Sequence, residues 1–129
     1  MRKYIRRDKN HVEIAKALQQ RGVYVLDLAT SGSGVTDIVT HHKGRTVFIE
    51  IKVEDKDSHL ERSQLKFLGE FPGYCGIART EDEAYKIATD PEGYGLSQAQ
   101  KDRLLIHHRE MKAQVKSNTV FKMLAECKK

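Results

Sequence analysis

Two short apolar runs, Asp37-Ile-Val-Thr-His41 and Thr46-Val-Phe-Ile-Glu-Ile-Lys-Val53, constrain the fold of this chain more than any other feature. Both have the composition of strands. The break between them, His42-Lys-Gly-Arg45, is short and contains glycine, so the runs are expected to pair as an antiparallel hairpin. Alternate side chains of a strand share a face. Val47, Ile49, Ile51 and Val53 therefore line one side of the second strand, and Glu50 and Lys52 stand next to each other on the opposite side. Asp37, at the start of the neighbouring strand, lies close to both.

Carboxylates brought together repel and raise each other's pKa unless a cation sits between them. A hard divalent cation suits such a place, since Mg²⁺ binds through one or two carboxylates and keeps several waters. A lysine beside it can stabilise developing negative charge, or orient a water and help to deprotonate it. Asp37, Glu50 and Lys52 thus have the makings of a site for metal-assisted phosphodiester hydrolysis, with Mg²⁺ or Mn²⁺ as cofactor. On repulsion alone, removing either carboxylate is expected to end the chemistry while leaving the fold intact or more stable.

Asp37, twelve intervening residues and then Glu50-Ile51-Lys52 resemble the D…(D/E)xK signature of the PD-(D/E)xK nucleases. Gly34-x-x-Asp37, the apolar strand into Glu50-x-Lys52, Gln64 in the next helix and Gly76-Ile-Ala-Arg79 ahead of another resemble the VRR-NUC type more narrowly. Those are small domains related to Holliday-junction-resolving enzymes and common in phages. The resemblance spans roughly residues 10–90, with Thr36 where that pattern carries proline. It implies a restriction-endonuclease-like α/β core, a mixed sheet flanked by helices, and an endonuclease acting on DNA inside a bacterial or phage-infected cell. It implies that Asp37, Glu50 and the Ile51 carbonyl bind the metal, while Lys52 serves the attacking water and the charge on phosphorus. Gln64 would point back toward the site, and Glu13 on the first helix would join the metal. Glu13 has a second reading, as the N3 residue of a capping box opened by Asn10. A branched junction, a flap and plain duplex all remain open as substrates. Enzymes resembling this one that cut two strands commonly work as two-fold dimers, which implies a homodimer. The alternative is a catalytically silent module that kept the fold to bind nucleic acid, although binding alone has no need of clustered carboxylates.

Along the chain, Asn10-His-Val-Glu13 opens a predicted helix with His11, Ile14 and Leu18 on its apolar face, and Gly22 closes it. Val23–Leu28 reads as a strand. The linker Ala29-Thr-Ser-Gly-Ser-Gly34 lacks the Gly-Lys-Ser/Thr of a P-loop. It reads either as a flexible crossover or as a place where Ser31 and Ser33 meet a phosphate beside Asp37. Ser58-His-Leu-Glu61 is a predicted capping box for a helix through Leu65 and Leu68, with Lys66 on its exposed side. A strand to Arg79 follows, then a helix capped by Thr80. Asp90-Pro-Glu-Gly-Tyr-Gly95 reads as a loop, dividing a nuclease core (residues 1–95) from a basic helical extension of the same domain (96–129). There Ser97 caps a long helix with Leu104, His108, Met111 and Val115 on one face. Ser117-Asn-Thr119 interrupts, and Val120, Phe121 and Leu124 form a final short helix. This stripe is expected to pack on the core, to pair with another copy, or to lie along nucleic acid.

The net charge of +5 is concentrated at the ends: from Ser97 onward eight Lys and Arg face three acidic residues. Basic ends suit DNA, with Ser33, Lys66, Arg103, Arg109, Lys112 and Lys116 as candidate contacts, or they are a solvated surface. No apolar run approaches the ~20 residues of a membrane span, and no apolar segment follows the basic start. No membrane association is expected, and an intracellular site is. The two cysteines lack zinc spacing and are too few for a disulfide framework. His41-His42 and His107-His108 are adjacent pairs whose members face different ways, so no histidine-built metal site is expected.

Overall fold

The computed structural model describes residues 9–28, 35–52, 59–110 and 115–127. In chain order the elements are α1 (Lys9–Gln20), β1 (Tyr24–Asp27), β2 (Ile38–His42), β3 (Arg45–Ile51) and β4 (His59–Leu60). There follow α2 (Arg62–Glu70), β5 (Tyr74–Ala78), α3 (Glu81–Thr89), α4 (Pro91–Tyr94), α5 (Gln98–Glu110), β6 (Val115–Lys116) and α6 (Ser117–Ala125). The main sheet has the order β1-β2-β3-β5, antiparallel except where β5 lies parallel to β3. Helices flank this mixed sheet, as a restriction-endonuclease-like core requires.

The hairpin at its centre is tight. Lys43 and Gly44 both have positive φ, 50° and 82°, which is what a two-residue type I′ turn demands. The strands therefore run to the turn itself, with His42 opposite Arg45 and Ile38 opposite Ile49. Val47, Ile49 and Ile51 face α1 and α3 in one apolar cluster with Ile14, Leu18, Val25 and Ile87. Phe48 belongs to the cluster on the other face, where Leu65, Leu68, Leu104, Val120 and Leu124 of α2, α5 and α6 are buried. Phe48, Phe67 and Phe71 meet there with ring centroids 4.9 to 5.4 Å apart. This second layer covers β3 and β5 and leaves β1 bare, so Tyr24 and Leu26 remain 64% and 48% exposed.

Leu104 and Val120 of the C-terminal helices thus pack on the core, both fully buried; Met111 and the side chain of Val115 lie outside the described residues. Lys101 fastens α5 to the turn before β5, its Nζ donating to the Phe71 and Gly73 carbonyls at 2.7 Å each. No helix among the described residues is long and apolar enough to cross a membrane.

Element ends differ from expectation where tertiary pairing intervenes. The expected cap at Ser58 lies outside the described residues; Leu60 is in β4, paired with β6, and α2 begins after Glu61. Asn10 falls inside α1 rather than ahead of it. The Asp90–Gly95 segment contains a helical turn, α4, because the Asp90 carboxylate accepts from the Gly93 N–H. Ser117-Asn-Thr119 is the first turn of α6, not a break. The local caps hold: Thr80 Oγ1 accepts from Glu83 N, and Ser97 Oγ accepts from Gln100 N.

Candidate active site

The hairpin register places the two carboxylates. One step beyond the Ile38–Ile49 pair, Asp37 comes opposite Glu50. Asp37 immediately precedes β2, and its side chain rather than its backbone bonds β3. Its Oδ2 accepts from the Ile51 N–H at 2.8 Å, and its own carbonyl accepts from Leu28 N–H at 2.8 Å. Glu50 points into the α2 layer and is fully buried. Lys52 follows β3, its N–H bonded to the Ala78 carbonyl at 2.9 Å, and its Nζ lies 3.6 Å from Glu50 Oε2.

Gln64 comes to Glu50 from the first turn of α2. Its Oε1 accepts from the Glu61 N–H at 2.9 Å, which caps the helix and fixes the amide; its Nε2 then donates to Glu50 Oε2 at 2.8 Å. One carboxylate oxygen therefore has both Gln64 and Lys52, while buried Glu50 Oε1 has no partner. Burial, more than anything else, pushes the Glu50 carboxyl well above its ordinary range; Asp37 raises it further and Lys52 opposes.

α1 contributes a residue that sequence reasoning assigned only to packing. His11, 3% exposed, has Nδ1 3.9 Å from Asp37 Oδ1 and Nε2 3.5 Å from Asp27 Oδ1. Glu13 is exposed, on the helix face it shares with Lys16 and Gln20. It is two residues and about 200° around the helix from His11. The signal for His11 was its place on the same face as Ile14 and Leu18, which says that it is buried without saying against what. Arg79 is the other residue brought in from afar: one step past the Ile51–Ala78 pair, the parallel register sets it beside Lys52. Its guanidinium bonds Glu83 at 2.8 Å.

Of the candidate DNA contacts, Ser33 and Lys112 lie outside the described residues. Lys66 is exposed and paired with Glu70 at 3.2 Å. Arg103, Arg109 and Lys116 are exposed on α5 and β6. Thr36, at the position before Asp37, is buried and turns its hydroxyl to the Ile38 carbonyl at 3.0 Å.

The donor set fits a hard divalent cation. A buried carboxylate oxygen without a partner, beside a second carboxylate, is the arrangement that a cation relieves. Among the described residues no group of three or more His, Cys, Asp and Glu is placed to hold a metal, so carbonyl oxygen and water would complete the shell. In comparison with known proteins, the family described as archaeal Holliday junction resolvase (Hjc) matches residues 3–122, which takes in α5 and the first part of α6. No curated protein and no solved structure matches the chain.

Proposed function

Because the chain belongs to the archaeal Holliday junction resolvase family, within the PD-(D/E)xK nuclease superfamily, we propose that it is a Mg²⁺- or Mn²⁺-dependent endonuclease that cuts branched DNA inside the cell. The observation that carries this reading is the buried Glu50 carboxylate, with one oxygen unpartnered and Asp37 and Lys52 at its side. Asp37, Glu50 and the Ile51 carbonyl would hold the cation. When bound, it supplies Lewis-acid stabilisation of phosphoryl charge and makes water more acidic.

The chain's own residues do the rest. Gln64 and Lys52 both engage Glu50 Oε2, so Oε1, which has no hydrogen-bond partner, is the oxygen that would hold the cation. The Ile51 N–H holds Asp37 in register with Glu50, and His11 packs behind it. Lys52, 22% exposed, is placed beside Glu50 to orient water and to meet charge developing in the transition state. Bulk phosphate attraction falls to the exposed basic residues, Lys66, Arg103, Arg109 and Lys116 among them. Two related strands of a junction call for two sites, so we assign the working unit as a homodimer.

Cleavage of a four-way junction and of a plasmid with Mg²⁺, Mn²⁺ or EDTA tests the reading. Metal-dependent nicking of the junction by the wild type and none by Glu50→Gln is the expected result. Equal cleavage in EDTA, or an active Glu50→Gln, would refute the site.

A further inference from the structure

Beside the site, between the end of β5, α4 and α6, lies an open cavity of about 720 Å³. Its lining includes Arg79, Tyr94, Gln100, Phe121 and Lys122, and no carboxylate. A smaller neighbouring hollow of about 320 Å³ shares Arg79, Tyr94 and Phe121 and adds Lys86 and Glu83. Rings and cations alternate here. The Arg79 guanidinium stands 4.8 Å from the Phe121 ring centre, and Lys86 Nζ lies 5.5 Å from that of Tyr94. Tyr94 is 54% exposed. An apolar gap between helix and sheet needs neither the exposed ring nor the cations, and α6 is already anchored by buried Val120 and Leu124.

We infer that this cavity takes one unpaired nucleotide of the branched DNA. The base stacks on Phe121 and Tyr94 while Arg79 and Lys122 meet its phosphate; the inference rests on the nuclease reading above. Three observations converge. Aromatic faces beside cations are the chemistry that holds single-stranded nucleotides, since every base offers a π-face and every link a phosphate. Arg79 is the strand neighbour of Lys52 in the parallel register, so a residue next to the proposed site forms part of the cavity wall. The amide of Asn118 lines the same space and can bond a base edge, while that of Gln100 is held by the Ser97 N–H and the Leu124 carbonyl and shapes the wall. A base in continuous duplex is stacked on its neighbours and cannot enter, whereas a base at a branch point is already partly unstacked. The cavity would thus favour branched over plain duplex DNA without reading sequence.

The test uses the full chain and two readouts. The first is binding in EDTA of a fluorescent single-stranded thymidine oligonucleotide, with no cleavage required. The second is Mg²⁺-dependent cleavage of four-way junctions carrying one abasic position at successive places around the branch. The variants are Tyr94→Leu, on an exposed ring, and Phe121→Leu, which keeps the bulk packed against Arg79. Each is expected to weaken oligonucleotide binding about tenfold. Wild-type cleavage should slow about as much at one abasic position, and both variants should lose that sensitivity. Unchanged oligonucleotide affinity in both variants overturns the inference, as it would if the cavity instead received a protein segment. So does equal wild-type cleavage at every abasic position. A wild type that binds the oligonucleotide through Phe121 but cleaves no junction would sink the nuclease reading and leave the nucleotide site standing.

Discussion

Asp37 and Glu50 look equivalent as a carboxylate pair, yet their surroundings make their removal unequal. Glu50 has a folded-state pKa raised above the ordinary 4.5, mainly by burial. The folded protein therefore holds that proton more tightly than the unfolded chain does. In EDTA its contribution to stability is full below about pH 4.5 and is lost as pH rises toward the folded value. Glu50→Gln should flatten this slope and raise the neutral-pH melting temperature by a few degrees, as about 1 kcal/mol moves the midpoint by roughly 3–5 °C in a domain of this size. Thermal melts at pH 4.5 and pH 8 check this; a variant with the wild-type slope would refute it. Asp37 differs because it serves the backbone: its loss leaves the Ile51 N–H, in a residue 3% exposed, without an acceptor. Asp37→Ala should cost about 1–3 kcal/mol in urea unfolding, while Asp37→Asn, which keeps an acceptor oxygen, stays near wild type; neither should cleave. Repulsion alone would make either deletion neutral or stabilising; at Asp37 the hydrogen bond to the Ile51 N–H outweighs it. If Lys52 acts as proposed, on charge that exists only in the transition state, Lys52→Met should lower the cleavage rate about 100-fold, with junction affinity changed less than about threefold. A variant that binds weakly but turns over normally would make Lys52 a phosphate anchor.

At the scale of elements, the site depends on how closely α2 is pressed between the sheet and α5. Gly69 makes this possible: a Cβ there would sit 2.6 Å from Leu105 Cγ and 3.1 Å from the Lys101 carbonyl oxygen. The second of these is backbone and cannot turn aside. Alanine would gain about 1 kcal/mol in helix propensity, but parting α2 from α5 should cost about 1–3 kcal/mol, and the crowding wins. Gly69→Ala should therefore be destabilised in urea unfolding. It should also cleave more slowly, because Gln64 on the same helix holds Glu50 at 2.8 Å. Wild-type stability in that variant would show that the helices separate without cost.

For the molecule as a whole, Leu104, Val120 and Leu124 of the C-terminal helices are buried within the chain. Among the described residues, the half of the sheet face that the helices leave bare offers exposed apolar side chains for pairing. Tyr24 lies opposite His41 and Leu26 opposite Val39, beyond the reach of α2. Among the described residues no strand pairs with the outer edge of β1. The proposed dimer should form there. Light scattering at tens of micromolar should give a dimer for the wild type and a monomer for Tyr24→Ser/Leu26→Ser. A double variant that remains dimeric would move the interface elsewhere.

The amino-acid order by itself determined the features whose cause is local. The hairpin from Ile38 to Ile51 is one: alternation sets which face each side chain takes, and a short glycine turn sets the register that brings Asp37 opposite Glu50. The caps at Thr80 and Ser97 are another, each closed by a partner three residues away. The tertiary structure alone decided what meets across long separations. It brought His11 between Asp27 and Asp37, set Arg79 beside Lys52, delayed the start of α2 by pairing Leu60 with Val115, and joined Val120 and Leu124 of the last helix to the cluster of Leu65, Leu68 and Leu104. Periodicity reports which side of an element is apolar, never which other element will cover it. That choice is made by packing the whole chain at once, because apolar burial has no direction of its own and only shape and hydrogen bonding select the partner.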